Sequence, residues 1–461
     1  MNRVQRLVAR ALGLPMHTRR FEAASGRRSP DQRFGSFGPE ALAATDMVRR
    51  RARATFANNP WGANGVNSLI TALAGSGITP TSQHPEDDAR RALTSNFSRW
   101  AATCDADGLT DFYGMQASAA RSMVVDGEAF IRIIWTDEGM KLQQLSAEQV
   151  DLSYTVELGS GARIIAGVEF DASGQRLAYH VRPVDPTSIY ESYAPPVRVP
   201  AADMIHLYRP LGPGQVRGIS WLAPILIRAG ELDQVEDALI VGTKVAAMHA
   251  GFLIDQNNTG VATPYEETET GSLMESGLEP GTLKVLPGGY DIRFNAPQQA
   301  QQAVDFAKLQ LRGMAAGLGV PEYLMTGDLT GANYSSLRAG LVEFRSRVET
   351  IQFHTIIPQM LRPVWNRFVT LEMLAGNIGA DDLEAAKSVE WIPPALPWID
   401  PKKDAEATAA MIATGLTSRR RAVAAQGYSV EDLDEEIKAD REREARAGLN
   451  FGREAANAQQ A

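Results

Sequence analysis

A lone thiol is the first group to weigh for chemistry, because a thiolate is the most nucleophilic side chain at neutral pH. Cys104 is the only cysteine in the chain, and Asp105, Asp107 and Asp111 follow it closely. Negative neighbours raise a thiol pKa and oppose ionisation, so the residue reads as buried or incidental. A single cysteine also excludes an internal disulfide framework and any multi-thiolate metal centre. Three acidic clusters offer themselves as acid–base pairs or cation ligands: Asp105/Asp107/Asp111, Glu266/Glu267/Glu269 and Glu431/Asp432/Asp434/Glu435/Glu436. Each lies where the pattern predicts a turn or an exposed helix, and none has EF-hand spacing with its glycine, so they read as solvated faces. Gly212-Pro213-Gly214 with Gly218 departs from the G-x-G-x-x-G spacing of a dinucleotide turn. No Gly-Lys pair exists for a phosphate loop, and neither H-E-x-x-H nor G-x-S-x-G occurs. No catalytic residue, metal or cofactor is expected.

The elements around these residues are clearer. With 461 residues and 50.0 kDa the chain has room for about three folding units. Its longest apolar stretches, Ile219–Ile227 and Val245–Ile254, fall short of the roughly 18 residues of a membrane span. Twelve arginines against four acids leave residues 1–53 at +8, so within the net charge of -9 the remainder sums to -17. Affinity for duplex DNA comes largely from neutralising phosphates, so if this acidic body meets DNA it should not grip it. Met1–Leu14 has helical apolar spacing and is followed by a Gly/Ser/Arg-rich arm; an organelle presequence, a membrane-surface helix or a solvated basic tail would look similar. Helical periodicity runs from about Pro39, with stops at Asn58-Asn59-Pro60, at Gly75-Ser76-Gly77 and before an Asp-rich turn after Thr103. Glu128–Thr136, Lys141–Leu145, Gly161–Phe170, Leu177–Pro183 and Met204–Leu207 read as short antiparallel strands.

A long helix is predicted from about Trp221 to Ala250, with Leu222, Leu226, Leu232, Val235, Leu239 and Val245 on a buried stripe. A Gly/Pro/Glu-rich interval, 251–297, has strand-like runs Phe252–Ile254, Leu283–Leu286 and Asp291–Phe294, and helix returns at Gln298–Gly317. Two helices bracketing a small β-containing insert make a hairpin whose tip is a separate module. Gly317–Tyr334 reads as a tightly bent loop presenting Tyr323, Leu324 and Met325, followed by a helix from about Ser335 that kinks or stops at Pro358 and Pro363. Trp391–Pro401 is an extended connector, and three polar helices follow it.

In sequence order, a set of segments then resembles the lambda-type portal proteins of tailed bacteriophages, from about Arg20 to Phe451. They are Asn59-Pro60-Trp61 with the Gly75–Pro80 turn, Cys104-Asp105-x-x-Gly108, Asp126-Gly127-Glu128-Ala129-Phe130, and Gly214-Gln215-x-Arg217-Gly218-Ile219-Ser220. Ala315-Ala316-Gly317-Leu318-Gly319-Val320-Pro321 and Tyr334-Ser335-Ser336-x-Arg338-Ala339 come next. Trp398-Ile399-Asp400-Pro401-x-Lys403, Gly415-Leu416 and Gly448-Leu449 complete the set. Each segment alone is weak, and the whole set in order is specific.

The resemblance implies a mainly helical α+β portal fold assembled as a ring: a basic N-terminal arm (1–38), a wing (39–220), stem helices (221–250 and 298–317), a clip (251–297), a channel or tunnel loop (318–334), a long wing helix with its connector (335–400) and crown-side C-terminal helices with a tail (401–461). It implies a homo-oligomer of about twelve copies at one capsid vertex, passing double-stranded DNA during packaging and ejection. The implied partners are the terminase large subunit, a head–tail adaptor and the major capsid or scaffold protein, with no membrane; the location is the virion, and the host bacterial cytoplasm during assembly. Channel-side residues would be Lys308, Arg312, Tyr323, Met325, Asp328 and Asn333, and the subunit interface Leu222, Leu226, Leu232, Val235, Leu239 and Val245. The cations Lys244, Lys308 and Arg312 either ring the channel or pair with acids of a neighbouring subunit. The rival readings are a nucleic-acid-processing hydrolase and another head–tail connector ring protein.

Overall fold

Asn59-Pro60 divides the first helical run in two. Helix α1 (Phe37–Asn58) ends where Asn59 turns extended, and the Asn59 side chain accepts the Gly62 N–H at 2.7 Å to cap α2 (Pro60–Leu73). Proline has no N–H to give, so it serves at the first position of the new helix and not inside the old one. The computed structural model describes residues 21–25, 34–137, 139–186, 188–189, 194–248, 252–255, 290–293, 300–330, 334–395 and 400–449. Contacts divide the chain into one unit of residues 1–227 and 314–461 and another of residues 228–313.

In the first unit, α2 gives way to strand β1 (Thr79–Ser82) through Gly75 and Gly77, both in the left-handed region that glycine enters without strain. Helices α3 (Asp87–Ala101) and α4 (Phe112–Val125) follow. Asp111 caps α4 by accepting the Gly114 N–H at 2.7 Å. Phe97 of α3 lies 5.6, 5.2 and 5.1 Å from the rings of Phe112, Trp365 and Phe368. This aromatic cluster is the helical core.

Strand β2 (Glu128–Thr136) is central between β3 (Gly139–Leu145) and β9 (Met204–Tyr208), antiparallel to both, with Phe130 opposite Leu145 on one side and His206 on the other. A meander of β4 (Val156–Gly159), β5 (Ala162–Ile165), β6 (Val168–Phe170), β7 (Arg176–Val181) and β8 (Val197–Pro200) forms a second sheet. Phe130, Val150, Val168, Tyr179, Val181 and Val199 fill one core beneath them. The expected strand Gly161–Phe170 is two strands, because Ala166 (φ 51°) and Gly167 (φ 81°) turn the chain between them.

The second unit holds most of α5 (Leu226–Met248) and α6 (Ala300–Leu318). Arg228 donates to Gln310 Oε1 at 3.0 Å, tying one helix to the other. Strands β10 (Phe252–Asp255) and β11 (Tyr290–Arg293) pair antiparallel, Phe252 opposite Arg293. The run Leu283–Leu286 lies outside the described residues.

Back in the first unit, two expectations are corrected. The stretch read as a loop contains helix α7 (Glu322–Thr326), closed by Gly327 at φ 71°. The long helix after it is α8 (Tyr334–Ile351), then a π-helical stretch Gln352–Leu361 enclosing Pro358, then α9 (Arg362–Leu374) with Pro363 in its first turn. Proline removes a donor and its ring crowds the preceding turn, and widening the helix relieves this without a break. Strand β12 (Val389–Ile392) returns to pair with β1, Pro80 opposite Trp391. Helices α10 (Pro401–Ala413), α11 (Arg419–Ala424) and α12 (Val430–Ala447) close the chain, and none of the three buries a residue.

Candidate functional site

Gly127 and Gly218 belong to two of the segments singled out in the sequence, and in the fold their backbones cross in contact. A Cβ at Gly127 would fall on the Ile219–Ser220 peptide, and one at Gly218 would fall on the Gly127 carbonyl. Gly127 also sits at φ 94°. Only two glycines allow the strand entry and the 214–220 segment to lie this close. The crossing is fastened by Trp221, which donates its backbone N–H to the Val124 carbonyl at 3.0 Å, and by the Ser220 hydroxyl, which donates to the same oxygen at 3.1 Å.

This crossing brings Arg217 onto Glu128, both fully buried. Arg217 donates from Nε and Nη2 to the carboxylate (2.6 Å at the shortest), from Nη1 to the Val150 and Ala166 carbonyls (2.8 Å each), and from Nη2 to the Ala147 carbonyl (3.1 Å). All five of its N–H groups are used. Its hold on the Ala166 carbonyl supports the one β5–β6 turn residue that is not glycine yet has positive φ. Glu128 also accepts from Arg49 Nη2 of α1 at 2.7 Å, from His206 Nε2 of β9 at 3.1 Å and from the Gly218 N–H at 2.9 Å. A second, half-buried tier surrounds this one: Arg53 bridges Asp126 (2.6 Å) and Glu148 (2.7 Å).

Burial alone would raise the Glu128 pKa, but the Arg217 charge, the bonds from His206 and Arg217, and the Arg49 charge hold it well below the ordinary carboxylate range. His206 stacks between Phe130 (4.3 Å) and Tyr208 (4.5 Å). Burial pushes its pKa down to about 4, against the pull of Glu128 upwards. It is therefore neutral at pH 7, donating from Nε2 to Glu128, with Nδ1 facing the Tyr179 hydroxyl at 3.4 Å. A carboxylate whose acceptor sites are all taken, clamped in the ionised state, has no proton to move and no face for a substrate. The cluster is a pin joining α1, β2, β9 and the chain leading into α5.

The other residues weighed for function are dispersed. Met325 is fully buried: it fits the space left by Gly65, where a Cβ would stand 2.7 Å from Met325 Cε. The Leu324 carbonyl accepts from Asn64 (3.0 Å) and Ser68 (2.9 Å) of α2, so α7 is docked on the body, which corrects the picture of a free loop presenting Leu324 and Met325. Tyr323 is half-buried, its hydroxyl has no partner among the described residues, and burial raises its pKa. Asp328 is exposed and accepts from the Thr330 N–H at 2.9 Å. Lys308 and Arg312 lie exposed on α6 and Lys244 on α5. Asn333 and the Val245 side chain lie outside the described residues. Leu222, Leu226 and Leu232 are buried within the protomer, Val235 is half-buried and Leu239 is exposed. The apolar stripe is thus in large part the chain's own core face, and the first three are not surfaces for a neighbour. Cys104 is buried, and its thiol pKa is pushed up to about 12 by burial and by the Asp105 and Asp111 charges. Among the described residues no group of His, Cys, Asp and Glu is set to hold a metal ion, and no helix is long and apolar enough to cross a membrane.

Residues 25–352 match the family described as phage portal protein, lambda family, a span that includes the whole glycine crossing and its charge cluster. The chain belongs to this family. A probable portal protein of Halomonas phage phiHAP-1 is 27% identical over 428 residues, covering 88% of this chain and 82% of that protein. Portal protein B of Escherichia phage lambda is 24% identical over 363 residues, covering 70% and 67%. Among solved structures, a chain from the neck of a native gene transfer agent particle, computed with C12 symmetry, has a TM-score of 0.46 at 17% identity, covering 88% of this chain and 97% of that one. An HK97-family phage portal protein from Corynebacterium diphtheriae has a TM-score of 0.31 at 11% identity, covering 64% and 85%.

In this portal the segments that carried the resemblance are structural devices: a helix cap at Asn59, the glycine crossing, and a second cap at Asp400, which accepts the Lys403 N–H at 3.3 Å. Asp105 likewise turns its loop by accepting from the Leu109 (2.9 Å) and Thr110 (3.0 Å) N–H groups. Sequence reading missed Arg49, Arg53, Glu148 and His206 as partners. Arg49 looked like one of four clustered basic residues on a helix, and only the position of its face relative to β2 separates it from Arg50, which is exposed.

Proposed function

We propose that this chain closes into a ring of about twelve copies at one capsid vertex, lining a passage for double-stranded DNA. The observation that carries this reading is on α5. Residues 238–248 (ALIVGTKVAAM) are apolar around the helical circumference apart from Lys244 and Thr243, whose hydroxyl donates to the Leu239 carbonyl. A helix apolar all round belongs in an interior. Yet in the protomer Leu239, Ile240 and Val241 are 36, 51 and 58% exposed, and Val304, Phe306 and Leu309 of α6 are 46, 42 and 60% exposed. Consecutive residues point about 100° apart, so covering 239, 240 and 241 takes neighbours on more than one side. A heterologous ring supplies two neighbours to every copy, whereas a twofold dimer supplies one.

On this reading residues 39–220 are the wing, 221–250 and 298–317 the stem, 251–297 the clip, 318–334 the channel side, and 335–400 and 401–461 the returning wing helix and the crown side. The acidic remainder keeps phosphate contacts weak, so that DNA slides and other proteins supply force; the terminase large subunit, a head–tail adaptor and the capsid or scaffold protein are the partners. The protein does no covalent chemistry, which separates it from a nucleic-acid-processing hydrolase. The hairpin insert separates it from a smaller head–tail connector ring. The test is assembly: the purified chain should sediment as a ring of about a dozen copies with a central hole in negative stain. Ile240→Asp or Leu309→Asp should give protomers with an unchanged melting temperature, since these side chains are exposed before assembly. Intact rings from both variants would overturn the proposal. Leu232→Asp is not such a test, because Leu232 is fully buried in the protomer and its loss would unfold the hairpin.

A further inference from the structure

We propose that residues 400–449 form a detachable clasp, held to the body by exposed ion pairs over an unfilled groove, and released by salt. Three features of the fold place it there. First, no residue of α10, α11 or α12 is fully buried, and their apolar contacts are no more than half-buried ones such as Val423, Val430 and Leu433, so only partial hydrophobic burial resists their departure. Second, the polar ties described between this segment and the body are surface ones. Arg420 bridges to Glu390 (2.6 Å) and Gln83 (2.7 Å), Arg90 to Glu431 (3.2 Å), Arg91 to Glu435 (3.7 Å), and Arg338 to Asp404 (3.3 Å). Their side chains are 21 to 67% exposed, in the range where solvent and salt screen a pair.

Third, a groove of about 910 Å³ separates the clasp from the body where a packed seam would otherwise be. Val348, Phe353, Trp391 and Pro394 line it on the body side, and Met411 and Ala425 on the clasp side. Trp391 is 7% exposed, and its indole N–H has no acceptor among the described residues. Gly427 lies against the backbone there, where a Cβ would stand 3.1 Å from the Ala395 nitrogen. Opening would uncover the groove and Trp391. The inference does not rest on the ring, because every contact it uses lies within one chain.

The test is an intrachain distance. Cys104 is buried, so spin labels go to introduced cysteines at Ser98→Cys on α3 and Lys438→Cys on α12, both exposed. Labelled chains are diluted tenfold with unlabelled ones, and double electron–electron resonance is recorded in 0.1 and 1 M NaCl. Across that range the Debye length falls from about 10 to about 3 Å. The expected result is one narrow distance in low salt and a broad, longer population that grows about fivefold in high salt. Arg420→Glu should open the clasp in low salt, and adding Glu390→Arg should close it again. A narrow distance that persists at 1 M NaCl, or in the Arg420→Glu chain, would overturn the proposal.

Discussion

Replacing Glu128 by glutamine is a nearly isosteric change that removes one charge from the centre of the fold, and the structure sets its cost. The carboxylate is fully buried and receives Arg49, Arg217, His206 and the Gly218 N–H. After the change the buried Arg217 guanidinium lacks its counter-charge, Arg49 keeps only Glu148 at 3.9 Å, and the new amide N–H₂ faces donors on every side. Breaking a buried pair from one side costs roughly 3–5 kcal/mol, because the remaining charge stays desolvated. With an unfolding entropy of about 2.1 cal/mol/K per residue over the 375 residues of the first unit, that is a fall in melting temperature of about 4–6 °C. Differential scanning calorimetry of the purified protein reads it directly. Arg53→Ala, on the half-buried outer tier, should cost clearly less. A Glu128→Gln protein that melts within about 1 °C of the parent would refute the pin and show that the charges are dispensable.

Acid should loosen the same cluster. His206 is held neutral in the fold, with its pKa lowered from 6.5 to about 4, so the unfolded chain binds a proton that the folded one refuses. Stability from this residue is present above pH 6.5 and is lost as pH falls towards 4, by about 3 kcal/mol in all. Glu128, also lowered in the fold, adds loss in the same direction below its ordinary value of 4.5. Urea midpoints at pH 7.0 and 4.5 should differ accordingly, and His206→Gln should flatten the difference; a midpoint independent of pH would contradict this. Cys104, with its pKa pushed up from 9.0 to about 12, should react with a thiol reagent at pH 8 about a thousandfold more slowly than a free thiol does at the same pH, and at the ordinary rate once urea unfolds the chain. Fast labelling of the folded protein would contradict its placement.

What was legible in the sequence was local. Asn59-Pro60, Gly75-Ser76-Gly77 and the β-branched runs announce their own turns and strands, because caps, positive φ and pleated alternation are decided within a few residues. Pro358 announced a distortion of its helix, though not that the relief would be π-helical. What was not legible depends on distant pairs. β1 finds β12 some 300 residues later, and Met325 enters a hole that exists only because residue 65 is glycine. The stripe on α5 showed the same limit: periodicity marks an apolar face but does not say whether the chain's own core covers it, and here Leu226 and Leu232 are buried in that core whereas Leu239 is exposed.

A buried cluster with strongly shifted pKa values is ordinarily the place to look for catalysis, because active sites shift their groups by these same means. Two features decide against that here. A working acid or base must keep a lone pair or a proton facing a space that a substrate can enter, whereas Glu128 has no acceptor site left and Arg217 no donor left. The shifts also run the wrong way for a general base poised near pH 7, since Glu128 and His206 are both driven downwards, into fixed charge states across the neutral range. The cluster therefore holds its geometry unchanged through any neutral-pH event, and what it holds is the crossing of Gly127 and Gly218, from which the chain runs on into α5. If the ring proposed above passes DNA, a crossing that must stay rigid there gains from charges that do not titrate near neutral pH.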